Sequence, residues 1–219
     1  MSGYVKDEEA RTFLILIAVL SLILAGYLWA VNIYSDTWES FSFSVFHIIS
    51  FMTSTGYGAA SYVEWPAAAA FLLVFAGYLG GCSGSTAGGN KIIRNIITIK
   101  IINRNIKQLI HPRGTFIIKY QKHPVSSDVR QAVMAFMSVA AGSSMILTLL
   151  LMTTGLDFWS AFTAVAACVN VLGPGFGEVG SNFQPVSDAG MWILSVAMIL
   201  GRLEYFTVFA LFSLAFWRH

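Results

Sequence analysis

The sequence predicts an all-α integral membrane protein built from two copies of one helix–loop–helix unit. Three observations predict this fold class. The chain of 219 residues is 56% hydrophobic and 11% charged, with a mean hydropathy of +0.69, whereas soluble domains carry about a quarter charged residues. It contains four long apolar runs. It also contains two short apolar runs that each end in Gly-x-Gly.

The four long runs are the predicted membrane-spanning helices, because a spanning helix needs about 20 mostly apolar residues. They occupy residues 12–33, 66–87, 131–156 and 189–217. The second run ends in glycines, and the fourth is interrupted by Arg202 and Glu204. The predicted organisation is a terminal segment at 1–11, a first unit at 12–90, a connection at 91–130 and a second unit at 131–219.

The two short runs read SDTWESFSFSVFHIISFMTSTGYG and LDFWSAFTAVAACVNVLGPGFG. Each begins with Asp-x-Trp and continues as a predicted helix of roughly 10–14 residues, which is too short to span and suits a re-entrant segment. Gly56 and Gly173 open the two Gly-x-Gly pairs and lie 117 residues apart. The chain therefore carries an internal repeat, although few residues are identical between its copies.

The basic residues predict the orientation of the chain in the membrane. Nine of the 13 lysines and arginines lie between residues 91 and 130, and none lies in 12–90 or 131–201. Positively charged connections stay in the cytoplasm, so the 91–130 connection and both termini are predicted to be cytoplasmic. Both short runs then enter from outside, where the neighbouring charges are acidic. Nucleic-acid binding by this basic stretch is not expected beside spanning helices.

The loop that ends the first short run suggests ion coordination. Non-helical backbone at membrane depth must be packed in protein or line a watery cavity. Carbonyl oxygens there can replace the water shell of a cation, with backbone angles that glycine tolerates. The hydroxyls of Thr53, Ser54 and Thr55 could add further oxygen ligands. An ordinary surface hairpin is the alternative, since Gly-x-Gly alone is weak.

The glycine-rich segment 77–90 (GYLGGCSGSTAGGN) is predicted to be a broken helix that lines the ion path. Two alternatives are a tight helix-packing patch and a phosphate-binding loop. The second is disfavoured because Lys91 comes one position late and no strand precedes it. The predicted gate comprises Gly80, Gly81, Ser83, Gly84, Ser85, Thr86, Gly88, Gly89 and Arg202.

Arg202 is predicted to lie deep in the fourth helix, where a buried charge needs a partner. Glu204 cannot pair with it along the helix, because residues two apart do not face each other. The glycine-rich segment offers carbonyls and hydroxyls instead, so that Arg202 would close the ion path and repel cations. A salt bridge that only pins helices is the alternative. His47 is expected to be a hydrogen-bonded packing residue, with proton coupling as the alternative.

Four motifs resemble those of a known family: TSTGYG, NVLGPGFG, GGCSGSTAGGNKIIR and GRLEYF. The chain resembles the Trk/Ktr/HKT superfamily of potassium transporters, and most closely the C-terminal half of the bacterial Trk membrane subunit. The resemblance covers nearly the whole chain from Phe13 to Trp217. It implies that the two units are the third and fourth helix–pore-loop–helix repeats of a Trk-type pore.

The resemblance also implies a potassium filter with one central glycine per repeat and the same gate. The implied filter comprises Thr53, Ser54, Thr55, Gly56, Tyr57, Asn170, Val171, Leu172, Gly173 and Pro174. Potassium, the transported ion, would bind the backbone carbonyls of Thr55, Gly56, Leu172 and Gly173. No covalently bound cofactor is expected.

The family carries four repeats and this chain two, and two pore loops cannot surround an ion. The other two would come from a homodimer or a separate chain, or the sequence is a C-terminal fragment. The resemblance further implies a cytosolic nucleotide-binding regulatory subunit. A two-pore cation channel and a non-conducting accessory membrane protein stay open as alternatives, as does the preference between sodium and potassium. An enzyme is disfavoured, because no nucleophile–base pair or metal cluster is visible.

Overall fold

Eight α-helices and a short β-hairpin make up the part of the chain that the computed structural model describes, residues 7–212 and 216–218. Residues 1–6 of the predicted terminal segment, residues 213–215 of the fourth run and residue 219 lie outside it. The helices are α1 (Glu8–Ala30), α2 (Thr37–Met52), α3 (Ala67–Leu79), α4 (Ile92–Ile110), α5 (Ser127–Met152), α6 (Phe158–Val169), α7 (Asp188–Leu203) and α8 (Tyr205–Phe212). The strands are β1 (Lys119–Tyr120) and β2 (His123–Pro124).

Two of these helices, α1 and α5, are long and apolar enough to cross a membrane by themselves. The expected continuous helix over 189–217 is wrong, because α7 and α8 meet at Glu204 with a bend of 109°. Glu204 has a φ of +63°, which a right-handed helix does not accommodate. The second span is likewise short, because α3 ends at Leu79, the third residue of the glycine-rich segment.

The Asp-x-Trp pairs are the N-caps of the two short helices, α2 and α6. The Asp36 carboxylate accepts a hydrogen bond from the backbone N–H of Trp38 (3.1 Å). Asp157 accepts from the backbone N–H groups of Trp159 (3.0 Å) and Ser160 (3.3 Å). An aspartate at this position satisfies free amides of the first turn and favours the positive end of the helix dipole. The helices have 16 and 12 residues, so α2 is longer than expected.

The backbone after α2 repeats after α6 with an offset of 117 residues. Ser54 and Val171 both have left-handed φ values (+56° and +55°), as do Gly56 and Gly173 (+75° and +93°). The turn hydrogen bonds match too: Thr55 N to Ser50 O is 2.9 Å, and Leu172 N to Ala167 O is 2.8 Å. The repeat inferred from weak sequence similarity is therefore present in the backbone.

Two hydrophobic cores hold the units together. One core gathers α1, α2, α3 and the start of α4, and the other gathers α5 to α8. They meet beside the second loop, where the Phe176 ring lies 6.1 Å from Phe51 and 5.6 Å from Tyr62. Leu172 also packs into the first core. The two loops are therefore fixed against each other.

The 91–130 connection folds into α4 and the hairpin. Ile97 and Ile101 of α4 form a small core with Ile118 and Val133. The turn residues Gln121 and Lys122 have φ values of +47° and +69°, which is the geometry of a tight hairpin turn. The connection thus packs against the helical units.

Candidate ion pathway: two loops above a glycine-rich segment

The two loops, 53–58 and 170–175, touch each other at Gly56. A Cβ atom added to Gly56 would lie 2.1 Å from the carbonyl oxygen of Leu172, closer than any real carbon–oxygen contact. Together with its φ of +75°, this leaves glycine as the only fitting residue. Gly173 differs, because a Cβ added there meets nothing within 4 Å. One side of the loop pair is therefore closed, and the other is open.

The backbone carbonyls of Thr55, Gly56, Leu172 and Gly173 are the predicted potassium ligands. Within residues 7–212 and 216–218, no donor forms a hydrogen bond with any of the four. Two residues in each loop have a positive φ, Ser54 and Gly56 in the first and Val171 and Gly173 in the second. Tyr57 has 71% of its surface exposed, so its ring is not packed in this chain.

The three predicted hydroxyls have different surroundings. Thr53 and Thr55 are hydrogen-bonded to each other, with 2.7 Å between their Oγ1 atoms. The Ser54 hydroxyl donates to the Asn170 carbonyl (3.0 Å) and accepts from the Gly88 N–H (3.2 Å). Ser54 therefore joins both loops to the glycine-rich segment, a contact that the sequence did not suggest.

His47 and Ser50 brace the first loop from behind. The Ala59 N–H donates to His47 Nε2 (3.3 Å), which assigns the ring proton to Nδ1, where it is donated to the Phe43 carbonyl (2.7 Å). The Ser50 hydroxyl donates to the Tyr57 carbonyl (2.7 Å). His47 is fully buried, so its surroundings are those of the expected packing histidine.

The second loop has a different brace, built on Thr163. Its hydroxyl accepts from the Phe176 N–H and contacts the Phe176 carbonyl, both at 3.1 Å. Asn170 is fully buried and donates from Nδ2 to the Ala166 carbonyl (2.9 Å). The two loops thus keep the same backbone with different supporting side chains, which explains their weak identity.

The glycine-rich segment crosses beneath the loops between α3 and α4. A Cβ on Gly88 or Gly89 would come within 3 Å of Asn170 atoms, so the segment lies directly against the second loop. Gly80 and Gly89 have φ values of +71° and +77°, which favour glycine. Of the predicted gate positions, Gly84 is exposed and a Cβ there meets nothing within 4 Å.

Arg202 reaches the segment from α7, as the sequence predicted. Its Nη1 donates to the Thr86 carbonyl at 2.7 Å. The expected burial is wrong for this chain, because Arg202 is exposed and one residue from the helix end. A Cβ on the neighbouring Gly201 would clash with the Val169 carbonyl, so α7 is pressed against the end of α6. This close packing places the guanidinium below the second loop.

Glu204 pairs with two basic residues that follow the segment, and not with Arg202. Its carboxylate lies 3.1 Å from Lys91 Nζ and 2.9 Å from Arg94 Nη2. The Arg94 guanidinium also lies 3.8 Å above the Phe136 ring. The bend between α7 and α8 is therefore tied to the start of α4. A cavity of about 170 Å³ lies behind the segment, and Arg202 and Glu204 both line it.

Glu9 is a residue that the sequence reasoning missed. It is only 7% exposed, and its two oxygens accept from the Ser83 N–H (2.6 Å) and the Ser83 hydroxyl (2.9 Å). An acidic residue in the first turn of a helix is ordinary, so nothing in the sequence marks this long-range contact. Ser83, Thr86 and Gly88 thus give the segment three separate anchors, and Lys91 holds the residue directly after it.

A protein-ligated metal ion is not suggested by the residues described. No group of three His, Cys, Asp or Glu side chains in 7–212 and 216–218 could hold one. Cation binding at the loops would rest on the oxygens of backbone carbonyls and hydroxyl groups.

Comparisons with known proteins support the resemblance found in the sequence. The family TrkH, described as cation transport protein, matches residues 2–217. The chain is 39% identical to the Trk system potassium uptake protein TrkH of Halomonas elongata, covering 100% of this chain and 45% of that protein. The corresponding Escherichia coli K12 protein is 37% identical over 98% of this chain and 44% of its own length. The crystal structure of the potassium transporter TrkH from Vibrio parahaemolyticus superimposes with a TM-score of 0.92 at 38% identity, covering 98% of this chain and 46% of that one.

Proposed function

Because the chain belongs to the TrkH family of cation transport proteins, we propose that it forms half of a gated pore for potassium uptake. The chain spans less than half the length of the relatives it matches. The observation that carries the proposal is the pair of equivalent loops whose four carbonyls have no donor among the described residues. These oxygens can replace the water shell of a potassium ion without a fixed negative charge.

The short helices add to the attraction for a cation. Both α2 and α6 end at the loops, so each directs its carboxyl end toward the proposed filter. That end carries a partial negative charge of about half an elementary charge. Two helix ends beside uncharged carbonyls would favour a monovalent cation at the loops.

A complete filter needs further loops on the open side of Gly173. The close approach of Gly56 to the Leu172 carbonyl would be repeated there by the backbone of another pore loop. A cavity of about 440 Å³ lies beside Gly173 and is lined by Leu172, Leu194 and Met198. The equivalent space in the first unit, beside Gly56, is filled by Leu172, which packs against Gly77. We assign the missing loops to the first half of such a transporter or to a second copy of this chain.

The gate would be the glycine-rich segment, held closed by Arg202. With the Arg202 guanidinium bound to the Thr86 carbonyl, the segment would lie across the proposed path next to the second loop. A cation leaving the filter would meet a positive charge and backbone with little room. Release of this contact would let the segment move and the path open.

The orientation follows from the positive-inside rule. The 91–130 connection and both termini would lie in the cytoplasm, and both loops would open to the outside of the cytoplasmic membrane. A cytosolic nucleotide-binding subunit would act on this cytoplasmic face. The acidic residues near the outer loops would raise the local cation concentration.

Complementation tests the proposed function directly. The chain would be expressed in cells that lack potassium uptake, alone and together with the first half of the Halomonas elongata relative, with growth and rubidium uptake measured at low potassium. Rescue by the chain alone supports a homodimer, and rescue only with the first half supports a split pore. A sodium flux that equals the potassium flux would favour a two-pore cation channel. No flux in either case, with the protein present in the membrane, would refute a conducting role.

A further inference from the structure

A cationic cavity lies at the hairpin end of α4, away from the proposed ion path. It has a volume of about 520 Å³, a size typical of ligand sites. One face of α4 provides Lys100, Arg104 and Lys107, and the returning chain provides Phe116, Ile118 and Lys119. No carboxylate lines this cavity in the part of the chain that the structure describes.

The charges of this cavity are only partly neutralised. Lys100 is ion-paired with Glu8 and donates to the Lys119 carbonyl (2.9 Å). Arg104 has a buried Nε atom that finds no acceptor among residues 7–212 and 216–218. A buried guanidinium N–H without an acceptor is costly. Arg104 also lines the cavity, so its guanidinium supplies a positive charge that suits a ligand with anionic oxygens. Lys107 and Lys119 add two further positive charges that have no ion-pair partner within the described residues.

The adjoining face of α4 is apolar, and no other part of the chain that the structure describes covers it. At 100° per residue, five large apolar side chains form one stripe next to the cationic face. They are Ile99 (58% exposed), Ile102 (50%), Ile106 (49%), Leu109 (81%) and Ile110 (66%). A helix with basic and apolar faces side by side lies in the membrane interface. A soluble anion would explain the basic face alone, whereas a lipid explains both.

We propose that this cavity binds the phosphate headgroup of an anionic phospholipid in the cytoplasmic leaflet. Arg104 is the central donor, since its guanidinium can hold two phosphate oxygens at once. Lys107 and Lys119 strengthen the positive potential around the headgroup. The acyl chains lie along the stripe from Ile99 to Ile110. Basic pockets beside spanning helices on the cytoplasmic side bind such headgroups.

The test compares phosphatidylglycerol with phosphatidylcholine, measured as lipid retained by the purified chain in native mass spectrometry. The double variant Arg104→Gln/Lys107→Gln is matched by Arg113→Gln/Lys122→Gln. The control removes the same charge from exposed residues of the same region that do not line the cavity. Each basic residue near an anionic surface contributes roughly fivefold to affinity. We therefore expect the affinity of the double variant for phosphatidylglycerol to fall about 25-fold. The affinity of the control variant should change little.

Other results would overturn the proposal. Equal retention of both lipids, or equal loss in both double variants, would mean that no specific headgroup site exists. Displacement of the lipid by millimolar inorganic phosphate would assign the site to a free anion. A cavity that serves an acidic protein partner would leave phosphatidylglycerol retention unchanged in the double variant. If the double variant fails to fold, Lys119→Gln alone replaces it, with an expected loss of roughly fivefold. Lipid retention is measured without ion flux, so the result does not depend on the proposed transport.

Discussion

Replacement of Gly56 by alanine tests the geometry of the proposed filter. The added Cβ would lie 2.1 Å from the Leu172 carbonyl oxygen and 3.2 Å from Pro174 Cδ. Neither is the end of a flexible side chain that could turn aside. The first loop must therefore move away from the second by about 1.3 Å to restore an ordinary contact distance of roughly 3.4 Å.

The cost has two parts. Alanine at a φ of +75° costs about 1–2 kcal/mol relative to glycine. The displacement adds to this and changes the spacing of the carbonyls that would replace the water of the ion. Each kcal/mol lowers the melting temperature of a chain of this size by roughly 2–4 °C. We therefore expect the melting temperature of Gly56→Ala in detergent to be about 2–8 °C lower from the backbone cost alone. We expect its preference for potassium over sodium to fall about tenfold or more.

Gly173→Ala and Gly142→Ala are the matched comparisons. A Cβ on either residue meets nothing within 4 Å in this chain, but Gly173 also has a φ of +93°. In the chain alone, Gly173→Ala is expected to show only the backbone cost, and Gly142→Ala in helix α5 no loss. In a conducting assembly, Gly173→Ala should impair selectivity as strongly as Gly56→Ala, because another loop would then face Gly173.

Two results would refute this reasoning. Unchanged stability of Gly56→Ala would mean that the two loops do not touch as described. Unchanged ion preference in a conducting assembly, with Gly56→Ala destabilised, would mean that the loops are structural and that potassium is selected elsewhere.

Three further substitutions test the gate and its supports. Arg202→Ala should raise potassium flux about tenfold at fixed potential, because a hydrogen bond to a charged group contributes about 1.5–3 kcal/mol. Arg113→Ala, at an exposed arginine, is the control. Equal flux in the two variants would contradict the proposed gate. Glu9→Gln should speed amide hydrogen exchange in the glycine-rich segment by about tenfold or more, since it removes the charge from two hydrogen bonds. Glu8→Gln should leave this exchange rate unchanged, because it loses only a surface ion pair worth about 0–1 kcal/mol. Equal exchange rates in the two variants would mean that Glu9 does not anchor the segment. Ser54→Ala should lower the free energy of unfolding by about 1–3 kcal/mol in chemical denaturation, because two backbone groups lose a partner; no loss would show that water replaces the hydroxyl.

Local chemistry made several features predictable. The Asp-x-Trp pairs marked the starts of α2 and α6, because an aspartate N-cap acts on the amides directly after it. The offset of 117 residues between Gly56 and Gly173 survived in the backbone, because both positions need a left-handed φ. The acceptor of Arg202 was also predictable, since the helix itself offered no suitable carboxylate.

Long-range contacts were not predictable from the sequence. The bond from Glu9 to Ser83 joins residues 74 positions apart, and neither residue type signals the other. The bend at Glu204 was missed because the run over 189–217 is apolar enough for one helix. The helix breaks at Glu204, which has a left-handed φ. The Glu204 carboxylate is bound by Lys91 and Arg94, at the start of α4. Tertiary pairing overrides local helix preference at this position.

The unequal lengths of α2 and α6 shape the outer mouth of the proposed pore. Their carboxyl ends are in register at the loops, but α2 has four more residues, so its start lies about 6 Å further from the filter. Trp38 at that start is 70% exposed. In the proposed pore the entrance would therefore be uneven, with the start of α2 projecting on the side of the first unit. A flat pore blocker with fourfold symmetry could not contact all sides of this entrance at once. A blocker that is shorter on the side of the first unit would fit it better.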